Sequence, residues 1–181
     1  MIAKTLFTLP LLFAMSGCST TESVPDSYYY ILDSVSEAET PAASIAKNVT
    51  QIKVRPVILP DYLNQANLVM KLSDHQIKIA NYHFWAEDLR QSIQQVLIKE
   101  LNNNSQTSSF GQECANCDEL VINIDHFYPT ETGEVLLSGS YYRKSNYQAN
   151  KFFLKMELKR GGYDEAVSAM RKLLTELAQQ I

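Results

Sequence analysis

Apolar and polar residues alternate most strictly from residue 151 to residue 159, where every second side chain is apolar. A strand with this pattern buries one face and exposes the other. The segments 119–128 and 134–143 are also β-prone, and the short link at 129–133 predicts a hairpin between them. Three strands are therefore predicted in the second half of the chain. The apolar face of the last one is formed by Phe152, Leu154, Met156 and Leu158.

Four further strands are predicted in the first half of the chain. They cover residues 28–32, 50–59, 68–72 and 76–82. In the second of them Ile58 shares an apolar face with Ile52. Pro56 has no amide hydrogen to donate, so this strand is expected either at a sheet edge or bulged at the proline. In the fourth strand, Ile77 and Ile79 are expected to point towards the core.

Two segments repeat apolar residues at helical spacing instead. The first begins at Trp85, the only tryptophan, which we expect to anchor the helix in the core, and its opposite face includes Gln94. Glu87 and Asp88 are expected in its first turn, where negative side chains favour the helix dipole. The second helix is predicted to be capped by Asp164 and to run to the end of the chain.

The remaining segments, 34–48 and 106–112, predict loops. Strands followed by helices that each have one apolar face must pack in layers to bury those faces. The sequence therefore predicts an α+β fold, in which an antiparallel or mixed β-sheet of about six to seven strands is covered by two amphipathic helices.

The first 17 residues have the organisation of a cleaved export signal. Lys4 precedes an apolar run at 6–15, and two small residues lie directly before Cys18. The run is shorter than the roughly 20 residues that a membrane-spanning helix needs. Met15-Ser16-Gly17-Cys18 resembles the bacterial lipobox, whose cysteine is acylated after cleavage. An ordinary secretory signal with an incidental cysteine is the alternative.

Acylation of Cys18 would divide the chain into a signal peptide (1–17), a lipidated tether (18–27) and a single domain (28–181). Two or more acyl chains form a stable membrane anchor. The polar segment 19–27 can extend by at most about 30 Å, so the domain would stay near the membrane surface. Ser19 follows Cys18 directly, and a residue of this kind at that position resembles outer-membrane lipoproteins. We therefore expect the domain at the periplasmic face of the outer membrane.

Charge argues against binding to nucleic acid. The chain has a formal net charge of -4, which becomes -5 when the signal and its Lys4 are removed. Lysines are scattered through a mildly acidic chain, whereas nucleic-acid binders concentrate basic residues on one face.

Catalytic and metal-binding motifs are not apparent in the sequence. His75, His83 and His126 lie on separate predicted elements without the spacing of metal ligands. The carboxylates of Glu87 and Asp88 diverge because adjacent helical residues do not face each other. We therefore expect no enzymatic activity, no metal and no cofactor.

Cys114 and Cys117 allow three interpretations. A zinc site would need about four ligands, and no second pair lies nearby. A thioredoxin-like redox site would open a helix, whereas this pair precedes a predicted strand. A disulfide is favoured because an exported chain with an even number of remaining cysteines usually pairs them. Closing so small a loop would contribute only about 2 kcal/mol.

Five motifs follow the lipobox in a distinctive order. They are Tyr28-Tyr-Tyr-Ile-Leu, Val57-Ile-Leu-Pro-Asp-Tyr-Leu63, Trp85-Ala-Glu-Asp-Leu89, Leu137-Ser-Gly139 and Gly162-Tyr-Asp-Glu165. In this order they resemble the ABC-type transport auxiliary lipoproteins, the PqiC-like family. The resemblance implies an outer-membrane lipoprotein that assists an inner-membrane transporter and a periplasmic mammalian-cell-entry (MCE) domain protein in moving lipid. It leaves open whether the protein forms a homo-oligomer.

The segment formed by Pro60, Asp61, Tyr62 and Leu63 is the candidate partner-binding site. It is interrupted by proline and mixes apolar with polar residues, so it could form a packed loop or a docking surface. The alternative function is a general structural lipoprotein of the envelope without a role in transport, which a gene neighbourhood lacking any such transporter would favour.

Overall fold

A computed structural model describes residues 24–33 and 49–181. The expected α+β class is confirmed, but the described residues form eight strands in two sheets, where six to seven strands in one sheet were expected. The signal, most of the tether and the loop predicted at 34–48 lie outside the described residues. The elements are β1 (Tyr28–Tyr30), β2 (Thr50–Val54), β3 (Asn67–Ser73), β4 (Gln76–Trp85), α1 (Leu89–Asn104), β5 (Ser108–Gly111), β6 (Asp118–Pro129), β7 (Glu134–Arg143), β8 (Asn150–Glu157) and α2 (Tyr163–Gln180).

The larger sheet has the strand order β5-β2-β6-β7-β8, and the smaller one has the order β1-β4-β3. β2 runs parallel to both of its neighbours, whereas β6, β7 and β8 pair antiparallel and include the predicted hairpin. In the smaller sheet β1 runs parallel to β4. The two helices contact each other, and α2 also packs against β6, β7 and β8. The most deeply buried side chains come from both layers and include Ile52, Leu120, Ile122, Leu137, Ile93, Leu97, Leu173, Leu174 and Leu177.

Pro56 lies two residues beyond the end of β2 and does not place that strand at an edge. β2 lies between β5 and β6, so the expected edge position was wrong. Of the two alternatives, the structure has an irregular strand at the proline. The pairing with β6 ends at Val54 and resumes at an isolated bridge between Ile58 and Asn123. The interruption shifts the alternation by one residue, which buries Val57 and leaves Ile58 55% exposed. The expected inward position of Ile58 was therefore wrong.

The tip of the β3–β4 hairpin is exposed on both faces. Ile77 and Ile79 were expected to point inwards, but both are exposed, and Ala80 is the first buried residue of β4. Residues 76–79 all lie at the surface. Alternation identifies a strand but does not show whether another layer covers it, and this end of the hairpin extends beyond the core.

α1 begins later than its apolar spacing suggests. Trp85 is buried as expected, but it ends β4, and its amide donates to the carbonyl of Ala66 at 2.7 Å. Asp88 is the N-cap and accepts from the amide of Gln91 at 2.9 Å, while Glu87 precedes the helix. The expectation that both carboxylates lie in the first turn was therefore wrong. The N-cap bond satisfies an amide that has no partner within the helix.

Gln94 is buried although it was assigned to the polar face of α1. Its side-chain amide donates to the carbonyl of Val54 at 2.8 Å, where β2 ends. Burial of a polar side chain is tolerated when it is hydrogen-bonded in this way. The helix is therefore bonded to the sheet at the end of β2, two residues before Pro56.

β5 replaces part of the loop expected at 106–112. It pairs in parallel with β2, and the side chain of Asn102 bonds both the amide and the carbonyl of Phe110 at 2.9 Å. Asn102 thus supplies the outer edge of β5 with hydrogen bonds of the kind that a neighbouring strand would make. α2 begins at Tyr163, with Gly162 at the N-cap and Asp164 inside the first turn, so the predicted capping role of Asp164 was wrong.

Candidate functional site

The segment predicted to bind a partner forms a tight turn between β2 and β3. The amide of Leu63 donates to the carbonyl of Pro60 at 3.0 Å, and that of Asn64 to the carbonyl of Asp61 at 3.1 Å. Leu63 is buried in the core, Tyr62 is half-buried, and Asp61 is exposed. The turn is therefore a packed loop that presents one carboxylate to solvent.

A β-bulge in β6 lies directly beneath this turn. The pairing with β7 shifts by one residue between Ile124 and His126, so Asp125 is the additional residue. A bulge leaves one residue unpaired in the ladder and re-aims its side chain. The hydroxyl of Tyr62 donates to the carbonyl of Asp125 at 2.7 Å, which gives that carbonyl a partner.

Burial of Tyr62 raises its pKa to about 12, and the neighbouring Tyr128 and Asp125 add to this effect. The hydroxyl therefore stays protonated and can donate to Asp125 throughout the ordinary pH range. The rings of Tyr62 and Tyr128 lie 6.3 Å apart. The turn is thus fixed to β6 both by a hydrogen bond and by contact between two aromatic rings.

His126 follows the bulge and points to a buried hydroxyl. Its Nδ1 lies 2.9 Å from Oγ of Ser138 on β7, and its ring meets Tyr128 edge-on with centroids 5.5 Å apart. Ser138 is one of the few buried polar residues in the described parts of the chain. A buried hydroxyl needs a hydrogen-bond partner, which His126 supplies, so the pair has a structural explanation.

A groove of about 370 Å³ runs from the bulge to the outer strand β8. Asp125, Lys151 and Phe153 border it, and Gly139 lies in its floor. Phe153 is 68% exposed although it is a large apolar residue. Asp61, Asp125, Lys151 and Phe153 are called the turn–groove surface below. This surface combines an exposed aromatic ring with charges of both signs.

Gly139 is required at this point because β6 and β7 approach closely. A Cβ atom built on Gly139 would overlap with the carbonyl oxygen of Asn123 and would lie 2.8 Å from Cζ of Phe152. Phe152 pairs with Gly139 across the β7–β8 ladder, so its ring occupies the space that a side chain would need. The absence of a side chain thus lets the ring lie over the strand beside the groove.

Cys114 and Cys117 lie in the connection between β5 and β6, away from the turn–groove surface. The structure brings their sulfur atoms together, with the Cα atoms 6.0 Å apart, which falls within the usual range for disulfides. Asn116 between them has a φ of 57°, a left-handed conformation that asparagine tolerates. The pairing stays a prediction.

The other sites considered in the sequence are dispersed. His75 is exposed in the β3–β4 turn, whereas His83 stacks on Tyr163 at 3.8 Å and lies 2.8 Å from the hydroxyl of Tyr30. Burial lowers the pKa of His83. Cys18 lies outside the described residues.

Within residues 24–33 and 49–181, no group of three or more His, Cys, Asp or Glu side chains could hold a metal ion. No helix in these same ranges combines the length and the apolar composition that crossing a membrane requires.

A family model for the ABC-type transport auxiliary lipoprotein component matches residues 30–181, which comprise every strand and helix from the end of β1 to α2. The chain belongs to this family. The resemblance inferred from the sequence motifs is therefore confirmed. No curated protein matches the chain in sequence.

Solved structures share the fold of this family member. A crystal structure of an uncharacterised protein is 24% identical and has a TM-score of 0.73, with 86% of this chain and 96% of that chain covered. A protein from Xanthomonas campestris, described as family DUF330, is 11% identical and has a TM-score of 0.60. That comparison covers 84% of this chain and 91% of the other.

Two features of the site, the bulge at Asp125 and its contact with Tyr62, were not predicted from the sequence. The bulge at Asp125 does leave a signal, because the buried positions of β6 change from the even-numbered Ile122 and Ile124 to the odd-numbered Phe127. A shift of the period by one residue marks a bulge. The contact between Tyr62 and Asp125 joins residues 63 positions apart and has no comparable local signal.

Proposed function

We propose that the protein is an outer-membrane-tethered, non-enzymatic accessory of an ABC transport system of the MCE type that moves lipid between the two membranes. The observation that carries the proposal is the family match, which covers residues 30–181 and names an auxiliary lipoprotein component of ABC-type transport. Cys18 and its lipobox lie shortly before the matched region, where an acyl anchor would be attached.

In this proposal the acyl chains on Cys18 hold the body on the periplasmic face of the outer membrane. The chain from Cys18 to the start of β1 can extend by no more than about 35 Å. Such a tether raises the effective concentration of the body towards a partner that reaches the same membrane. The role of the anchor is therefore positional, and binding is left to the folded domain.

The turn–groove surface is the proposed contact for the periplasmic MCE-domain protein. Protein interfaces commonly place an aromatic residue at the centre of a polar rim. Phe153 supplies the exposed ring, while Asp125 and Lys151 border the same groove. The bond from Tyr62 to the bulge holds the turn, and with it Asp61, in a fixed position. A rigid surface loses less entropy on binding than a mobile one.

The test is co-isolation from native membranes with a tag at the C-terminus of the full-length protein. We expect the MCE-domain protein to be recovered with the wild type and to be lost or strongly reduced with Phe153→Ser. Tyr147→Ser is the matched control, because Tyr147 is 67% exposed and lies in the turn between β7 and β8. Failure of the wild type to recover any transporter component would refute the accessory role. Equal recovery of the MCE-domain protein with both variants would refute binding through this surface and leave the accessory role intact.

A further inference from the structure

A second exposed surface lies on the smaller sheet, where β1 pairs with β4. Tyr29 is paired with Phe84, and their rings stack with centroids 5.4 Å apart. Tyr29 is 68% exposed and Ile31, two residues further along, is 53% exposed. Tyr82 is also exposed, two residues before Phe84. These four residues are called the β1–β4 face below.

Exposed apolar residues are concentrated here. Ten large hydrophobic side chains are exposed within residues 24–33 and 49–181, and three of them, Tyr29, Ile31 and Tyr82, belong to the β1–β4 face. Single exposed apolar residues are ordinary, whereas a cluster marks a surface that binds something. Tyr28 is exposed on the other side of β1, where its ring stacks on His83, and Ile77 and Ile79 lie at the far tip of the β3–β4 hairpin.

The opposite side of β1 is already occupied. The hydroxyl of Tyr30 lies 2.8 Å from Nδ1 of His83, and His83 stacks on Tyr163 at the start of α2. Trp85, which pairs with Tyr30, is buried in the core. Side chains alternate between the two faces of a strand. Because the side chain of Tyr30 points inwards, the side chain of its neighbour Tyr29 must point outwards.

The position of the anchor decides what this face can meet. Val24, the first described residue, follows Cys18 by six positions, which span at most about 22 Å. A domain of this size is roughly 40 Å across. Tyr29 follows Val24 by only five residues, so an acylated Cys18 would keep β1 on the side of the body that is close to the bilayer.

The charges of the two strands are compatible with a phospholipid surface. No carboxylate occurs in residues 28–32 or 76–85, and Lys78 is the one lysine or arginine among them. Tyrosine is enriched where membrane meets water, because its ring is apolar and its hydroxyl can stay hydrated. Asp164, Arg171 and Lys172 of α2 line the same groove as Tyr29 and Ile31, so one carboxylate and two cations border the face.

We propose that the β1–β4 face docks against the phospholipid surface in which the acyl chains of Cys18 are anchored, with Tyr29 and Ile31 at the level of the headgroups. This inference rests on the acylation that is part of the proposed function. Docking would fix the orientation of the body on the membrane, which a tether alone does not do.

Photocrosslinking of the full-length acylated protein tests the inference. The protein is placed in vesicles of phosphatidylethanolamine and phosphatidylglycerol, with no transport partner present, and carries a benzophenone amino acid in place of Tyr29. The matched control carries it in place of Phe153, which is equally exposed on the outer strand of the larger sheet. A third protein carries it in place of Tyr82, and circular dichroism confirms that each protein is folded. We expect phospholipid adducts at positions 29 and 82 and none at position 153.

Each other outcome is decisive. Protein that does not float with the vesicles would refute the anchor itself. Protein that floats without adducts at positions 29 and 82, or with equal adducts at position 153, would overturn the docking while leaving the anchor intact. Crosslinks from position 29 to a second copy of the chain would overturn it in favour of a self-association surface.

Discussion

Replacing Gly139 by alanine should destabilise the protein, because a methyl group has no room at this point of the larger sheet. The new Cβ would overlap with the carbonyl oxygen of Asn123 and would lie 2.8 Å from Cζ of Phe152. The ring of Phe152 can move aside, but the carbonyl belongs to the backbone of β6 and can move only with its strand. Overpacking of a core typically costs about 1–3 kcal/mol. We expect a loss of stability at the upper end of this range, about 3 kcal/mol, because the backbone of β6 must shift.

Thermal and urea unfolding measure this effect. For a chain of this length, 1 kcal/mol corresponds to roughly 2–4 °C in the melting temperature, so Gly139→Ala should melt about 6–12 °C below the wild type. The urea midpoint should fall while the slope of the unfolding free energy against urea stays the same, since the surface exposed on unfolding is unchanged.

Gly161→Ala is the matched control within the same chain. A Cβ on Gly161 would meet nothing within 4 Å, and its φ lies outside the left-handed region. A glycine replaced at such a position usually stabilises by about 0.4–1 kcal/mol, because the unfolded chain loses freedom. Equal melting temperatures for Gly139→Ala and Gly161→Ala would refute the argument from close approach.

Four further predictions concern the core, the turn and the anchor. Trp85→Ala should lower the free energy of unfolding by about 3–5 kcal/mol, because it empties a buried aromatic site, and an unchanged melting temperature would contradict this. Tyr62→Phe leaves the carbonyl of Asp125 without its partner and should cost about 1 kcal/mol in urea unfolding. The folded pKa of Tyr62 lies above its unfolded value, so stability should fall as pH rises from about 10 to 12, and a Tyr62→Phe curve with the same fall would refute this assignment. Cys18→Ala should leave a folded body that no longer fractionates with the outer membrane, and mass spectrometry showing an unmodified wild-type Cys18 would refute acylation.

Local chemistry determined what could be derived from the sequence alone. Strict alternation identified β8, the short link at 129–133 identified the β6–β7 hairpin, and helical spacing identified α2. Trp85 was correctly expected in the core. For β8 and α2 the period of side-chain polarity over neighbouring residues was sufficient, because the buried face of a strand or helix must be apolar whichever element covers it. The family also followed from the order of short motifs, and the family match confirms it.

Contacts between distant residues decided the rest. Gln94 is buried because it reaches the carbonyl of Val54, 40 positions away, and β5 is a strand because β2 and Asn102 bond its two edges. Ile77 is exposed because this end of its hairpin extends beyond the core. The same holds for the turn–groove surface, which exists only because Tyr62 meets the bulge at Asp125. A periodic pattern records whether a face is apolar, but which element covers that face is set by packing, and packing was visible only in the tertiary structure.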